Sequence, residues 1–150
     1  MAKSKKSIKG TQTEKNLVIA YLAESSAYTR YNFYAQQADK EEYFPIGEVF
    51  RDTADNEMRH AKVYFKFLEG GSVNVPMDAD AGVIADTASN LATAAEEELT
   101  EGVKLYTEAA KVADEEGFPE IAEHFRSIAE IEQHHHDRFV HYLEQVKAGT

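Results

Sequence analysis

The chain has 150 residues, no cysteine and a formal net charge of −11. That length is one domain's worth, enough to bury a core without covalent staples. The missing cysteines exclude disulfides, iron–sulfur clusters, thiolate zinc sites and cysteine nucleophiles, and the acidic balance argues against nucleic acid, whose phosphates need a basic face.

Residues 1–10 carry Lys3, Lys5, Lys6 and Lys9 with no apolar run behind them. They read as a basic, flexible tail and not as a secretory signal, leaving 11–150 as the folded domain. Thr11 followed by Glu14 has capping-box spacing and opens a first helix running from about Thr13 to Lys40. Its inward stripe is Leu17, Ala20, Glu24, Ala27, Tyr31, Ala35 and Ala38. After a short turn at 41–44, Pro45 suits the first turn of a second helix, with inward positions that include Ile46, Val49, Phe50, Thr53, Glu57, His60, Ala61 and Tyr64. Gly70 and Gly71 end it, and residues 70–86 form the one long connection in the chain. Asp86 or Thr87 caps a third helix with inward Leu91, Ala94, Glu98, Glu101, Leu105, Ala109 and Val112. Pro119 begins the fourth, whose stripe includes Ile121, Phe125, Ile128, Ala129, Glu132, His135 and Phe139. No stretch approaches the roughly 18 apolar residues of a membrane span, so a soluble cytoplasmic protein is expected.

The two halves repeat. Phe50-Arg51, Glu57 and His60 recur as Phe125-Arg126, Glu132 and His135, displaced by 75 places, while Glu24 matches Glu98 at a displacement of 74. Two helical hairpins related by an approximate twofold axis would bring four acidic motifs together at mid-bundle. The three-residue spacing of Glu57 with His60, Glu98 with Glu101 and Glu132 with His135 puts each pair on one helix face. Five carboxylates buried without partners would each cost several kcal/mol or take up a proton, so cations are required. Oxygen-rich ligands with two imidazoles suit iron or manganese, and zinc can bind without redox chemistry. Five carboxylates around two divalent ions leave a nearly neutral site, so metal is expected to stabilise the fold.

The neighbours of these motifs read more plainly. His134 and His136 point about 100° to either side of His135 and are expected on the surface, with His124 and His141 solvated or at the rim. Glu96 and Glu97 face outward by periodicity. Tyr31 and Tyr106, about two turns beyond Glu24 and Glu98, are positioned to hydrogen-bond a ligating carboxylate, whereas Tyr28, Tyr34 and Tyr64 read as core aromatics.

A glutamate from each of two helices plus Glu-x-x-His from each of the other two resembles the ferritin-like di-metal carboxylate proteins. It implies an all-α, ferritin-like four-helix bundle with a long crossover between helices 2 and 3. The segments from Gly10 to Leu17, Thr53 to Lys62 and Glu115 to Phe118 are similar to the di-iron domain of the rubrerythrin family, as is the extra carboxylate Glu101. That resemblance implies two iron ions bridged by Glu57 and Glu132. Glu24 would be terminal on one ion, and Glu98 with His135 on the other. Glu101 and His60 would alternate on the first ion and carry the catalytic switch. The implied reaction is reduction of hydrogen peroxide to water, in defence against oxidative stress. Typical members add a four-cysteine rubredoxin domain, so here the electrons would come from a separate protein, a rubredoxin or a flavoprotein reductase. A homodimer, with hairpins exchanged through the long connector, is also implied. The alternatives are a ferritin-type iron-binding or storage protein and a di-manganese catalase-like protein.

Overall fold

Thr11 caps the first helix by accepting a hydrogen bond from the Glu14 amide at 3.1 Å, and the Glu14 carboxylate returns to the Gly10 amide at 3.1 Å. The computed structural model describes residues 6–149, and among these every regular element is helical. In chain order they are α1 (Gln12–Lys40), α2 (Phe44–Phe67), α3 (Thr87–Glu97), a π-helical segment (Glu98–Lys104), α4 (Leu105–Glu115) and α5 (Pro119–Ala148). α3, the π segment and α4 run on without a break, so the elements form four rods. α1 pairs with α2, the composite third rod pairs with α5, and residues 68–86 cross between the two hairpins without regular structure.

The hairpins grip each other at their ends in a repeated way. Glu41, just past α1, accepts from the Thr87 amide at 2.9 Å and the Thr87 hydroxyl at 2.7 Å, satisfying the start of α3. Its counterpart Glu116 accepts from the Thr13 amide at 2.7 Å and the Thr13 hydroxyl at the start of α1. The beginnings of α1 and α3 thus find their donors' partners on the opposite hairpin. Arg51 pairs with Asp39 and Glu48, each at 2.7 Å, and Arg126 repeats this with Asp114 and Glu123 at 2.7 and 3.0 Å. The turn is made twice as well, with Glu42 at φ 66° in one half and Gly117 at φ 86° in the other. Glycine takes this left-handed conformation without a Cβ penalty.

The third rod departs from the uninterrupted α-helix expected for it. From Glu24 to Tyr31 is seven positions, whereas from Glu98 to Tyr106 is eight. One extra residue has entered the second half between a ligand candidate and its tyrosine, and the helix absorbs it as a π segment. Within that segment the three-residue rule for a shared face no longer holds. Glu98 stays buried at 3% exposure while Glu101 rotates to a half-buried position.

Gly102 lies within this segment, against Glu132 of α5. A Cβ there would lie 2.9 Å from Glu132 Cβ and 3.0 Å from Glu132 Cγ. Gly102→Ala gains about 0.5–1 kcal/mol of helix propensity but overpacks a helix contact, which costs about 1–3 kcal/mol. A net loss of stability is expected in a denaturant melt, with Glu132 displaced.

Two apolar clusters flank the middle of the bundle. One contains Leu17, Tyr64, Tyr106, Ile121 and Phe125, and the other Tyr31, Tyr34, Phe50, Leu91 and Phe139. The polar layer lies between them.

The expected tail needs correction over its described part. Residues 1–5 lie outside the described residues, but Ile8 is 3% exposed and joins the first apolar cluster. The Ile8 amide and the Ser7 hydroxyl donate to Glu69 at 2.8 and 2.7 Å, and the ammonium groups of Lys6 and Lys9 donate to the carbonyls of Glu116 and Gly70. Residues 6–10 are a docked strap. No helix among the described residues is long and apolar enough to cross a membrane.

Candidate metal centre

Each rod turns its apolar stripe inward and carries its acidic position with it. Glu24 comes from α1, Glu57 and His60 from α2, Glu98 from the π segment, and Glu132 and His135 from α5. All six are buried, at 2–6% exposure. They form two overlapping groups, Glu24, Glu57, His60 and Glu132 in one and Glu57, Glu98, Glu132 and His135 in the other. Within each group the donor atoms lie within 4.8 Å of one another, and Glu57 and Glu132 belong to both.

His60 Nδ1 lies 3.0 Å from Glu132 Oε1, 3.4 Å from Glu57 Oε1 and 3.7 Å from Glu24 Oε1. His135 Nδ1 lies 3.3 Å from Glu57 Oε1 and 3.5 Å from both Glu98 Oε1 and Glu132 Oε2. The two rings stack at 6.1 Å between centroids. Tyr31 and Tyr106 each donate across the pseudo-twofold axis. The Tyr31 hydroxyl reaches Glu98 Oε1 and the Tyr106 hydroxyl reaches Glu24 Oε1, both at 2.8 Å. Each tyrosine therefore orients the carboxylate of the opposite hairpin, and leaves the other oxygen of that carboxylate turned elsewhere.

Several donor atoms have no hydrogen bond of their own. Glu24 Oε2 is buried and unpartnered, and Glu57 Oε1 and His135 Nδ1 are buried with charged neighbours no nearer than 3.3 Å. Buried polar atoms are normally satisfied, so orphaned oxygens and an orphaned nitrogen converging on one point fit a bound cation. Hard oxygen donors with one imidazole in each group suit a first-row divalent ion such as iron or manganese.

Burial alone draws the His60 and His135 imidazoles down. Glu24 and Glu57 around His60, and Glu57 and Glu98 around His135, outweigh it and lift them to about 9 and about 10. Burial, reinforced by the charge of Glu57, raises the Glu24 carboxyl well above its usual range. In the metal-free protein, a raised imidazole contributes stability that is complete below its unfolded value of about 6.5 and is lost as pH climbs through the folded value. Glu24 acts in the same sense. The thermal midpoint of metal-free protein is therefore expected to fall between about pH 6.5 and 10. Metal affinity should rise over the same window, because each imidazole sheds its proton to bind. Melts across this range, with and without metal, measure both slopes.

Glu101 is the one predicted ligand outside both groups. It is half-buried, faces Asp80 of the crossover, and burial with Asp80 beside it lifts its carboxyl to about 8. It lines one cavity with Glu24, Glu57, Glu98 and Glu132 and, being less buried than they are, stands at its mouth. Two outward assignments also change. Glu97 is not solvated but pairs with Arg30 at 2.7 Å, with side chains 16% and 18% exposed. His136 is half-buried and its Nδ1 lies 2.8 Å from the Ala95 carbonyl, while His134 and His141 are exposed and His124 is half-buried against Phe67.

The match to known proteins covers nearly all of this frame. The Rubrerythrin family model aligns with residues 15–143. The chain is 44% identical over 144 residues to rubrerythrin from Nitratidesulfovibrio vulgaris, covering 96% of this chain and 75% of that protein. It is 47% identical over 145 residues to rubrerythrin from Porphyromonas gingivalis, covering 97% of this chain and 72% of that one. A nigerythrin structure described as fully reduced and all ferrous superposes with a TM-score of 0.81 at 26% identity, over 97% of this chain and 70% of that chain. A Desulfovibrio desulfuricans bacterioferritin superposes at 0.72 and 21% identity, over 93% of this chain and 85% of that one, which shows the shared ferritin-like fold. With four rods that each carry a buried acidic position, two candidate donor groups sharing two glutamates, and sequence identity sustained along the bundle, the chain belongs to the rubrerythrin family.

Proposed function

We propose that the centre holds two iron ions and reduces hydrogen peroxide to water, drawing electrons from a separate redox protein. The observation that carries this reading is the pair of donor groups overlapping at Glu57 and Glu132, with Glu101 held at the cavity mouth beside them. In this reading Glu57 and Glu132 are shared by both ions. Glu24 and His60 complete one set and Glu98 and His135 the other. The two ions supply two one-electron changes at one place, as the balance H2O2 + 2e⁻ + 2H⁺ → 2H2O requires.

The chain's own groups do the rest. Tyr31 and Tyr106 hold Glu98 and Glu24 in fixed orientation while charge at the centre changes. Two flanking apolar clusters keep bulk water from the carboxylates and strengthen their hold on a cation. Glu101 would be the reserve ligand, able to take the place of His60, since an anionic donor suits a ferric ion and a neutral nitrogen a ferrous one. The 150 residues contain no cysteine to hold a rubredoxin-type iron. A rubredoxin or a flavoprotein reductase fits as donor. We further propose a cytoplasmic homodimer in which hairpins exchange through residues 68–86, a state that solution mass and cross-linking test.

The functional test is rapid mixing of anaerobically loaded, reduced protein with peroxide and with air-saturated buffer. Oxidation by peroxide is expected to be much the faster. Equal or inverted rates would contradict a peroxidase.

A further inference from the structure

The mouth of the cavity breaks the internal symmetry of the bundle. On α1 it is lined by the small side chains Ala23 and Ala27, while the π segment and the residue before it present Glu97 and Glu101 at the equivalent positions. Arg30, one turn beyond Ala27, is the cation at this opening. Its Nη2 lies 2.7 Å from Glu97 Oε2, its Cζ stands 5.5 Å from the Tyr31 ring centroid, and a Cβ on Gly82 of the crossover would sit 3.6 Å from its Cδ. Its buried Nε has no hydrogen-bond partner. The guanidinium therefore stands with Glu97 and Glu101 at one opening, and Asp80 of the crossover approaches Glu101 in turn. Arg30 is pinned on three sides, by Glu97, by Tyr31 and by the crossover.

We propose that Arg30 is the positioning residue for Glu101. Pinned by Glu97, it draws the Glu101 carboxylate toward the mouth, while Asp80, exposed on the crossover and within hydrogen-bond reach of Glu101, opposes that carboxylate there whenever both are ionised. The position of Glu101 between mouth and centre is a balance of these charges against the charge of the ions inside. At short range such terms are large, because the opening is partly shielded from solvent. The inference rests on the reading of Glu101 as a reserve ligand. It adds that the bias of that ligand is set by three residues that touch no metal.

The test uses full-length protein loaded anaerobically with ferrous iron, and reads midpoint potential, not turnover. Losing Arg30 frees Glu101 to enter, which stabilises the oxidised centre, so Arg30→Gln should lower the potential and Arg30→Lys should restore most of it. Asp80→Asn leaves Glu101 better held at the mouth and should raise the potential. Each tenfold change in the ratio of the two states corresponds to 59 mV per one-electron ion. A charge acting directly through space on the iron would give the same signs, so both variants are repeated in a Glu101→Ala background. There the inference requires both shifts to collapse. Shifts that persist without Glu101, or that are missing with it, overturn the inference while leaving the metal centre standing. Protein that takes up no iron overturns the metal-centre reading and this inference with it. Asp80→Asn changes an exposed crossover residue, so it remains informative even if Arg30→Gln folds poorly.

Discussion

Glu57→Gln is expected to abolish uptake of both ions and not of one. Glu57 Oε1 lies 3.4 Å from His60 Nδ1 and 3.3 Å from His135 Nδ1, so it stands between the two donor groups and serves each. An amide of the same shape keeps the packing but offers a neutral oxygen and an NH2 that repels a cation. Each group is left with two carboxylates and one imidazole, so both ions lose an anionic donor at once. A ligand at about 1,000 times its dissociation constant stabilises a fold by about 4 kcal/mol, so wild type should gain roughly that per ion on metal addition. In Glu57→Gln the gain should fall to near zero. Thermal melts with and without ferrous iron, paired with metal analysis, measure it. A variant that still binds one ion at full affinity would show that the two groups are independent.

Glu101→Ala is expected to do the reverse, sparing uptake and slowing turnover. Six buried donors remain in place, because Glu101 lies outside both groups. Loss of the reserve ligand should nevertheless cost about 10–100-fold in peroxide turnover, the range seen when a group supporting a metal site is removed. Steady-state peroxide consumption together with iron stoichiometry separates the two effects. Turnover that survives unchanged would take Glu101 out of the cycle.

The contrast between these two glutamates marks how far the sequence could be read. Glu24, Glu57, His60, Glu98, Glu132 and His135 are legible because each interrupts an apolar stripe at helical spacing, and because the two halves repeat them in register. The place of Glu101 is not, since the three-residue spacing from Glu98 assumes an α-helix. The π segment that overrules it leaves only a one-residue slip between the repeats, from 74 at Glu98 to 75 at Tyr106. The direction of Tyr31 and Tyr106 was likewise open. Spacing offers each a carboxylate two turns away, while the bundle hands it the one on the facing hairpin.

Other features have no periodic signal at all. Glu97 and Asp80 line one surface hollow because the irregular crossover passes beside α3, and no pattern within either segment encodes that approach. Ile8 is a single apolar residue among lysines, yet it fills a gap at the bundle end and carries residues 6–10 with it. The reciprocal caps by Glu41 and Glu116 span 46 and 103 positions to their threonines, so they too belong to tertiary structure alone.

The central claim is that the six buried donors hold two ions at once through Glu57 and Glu132. Crystals of the protein loaded with ferrous iron, measured on both sides of the iron absorption edge, test it most directly. The account predicts two anomalous peaks per chain, both within coordinating distance of Glu57 and Glu132, one beside Glu24 and His60 and the other beside Glu98 and His135. A single peak, or two peaks sharing neither glutamate, would contradict it.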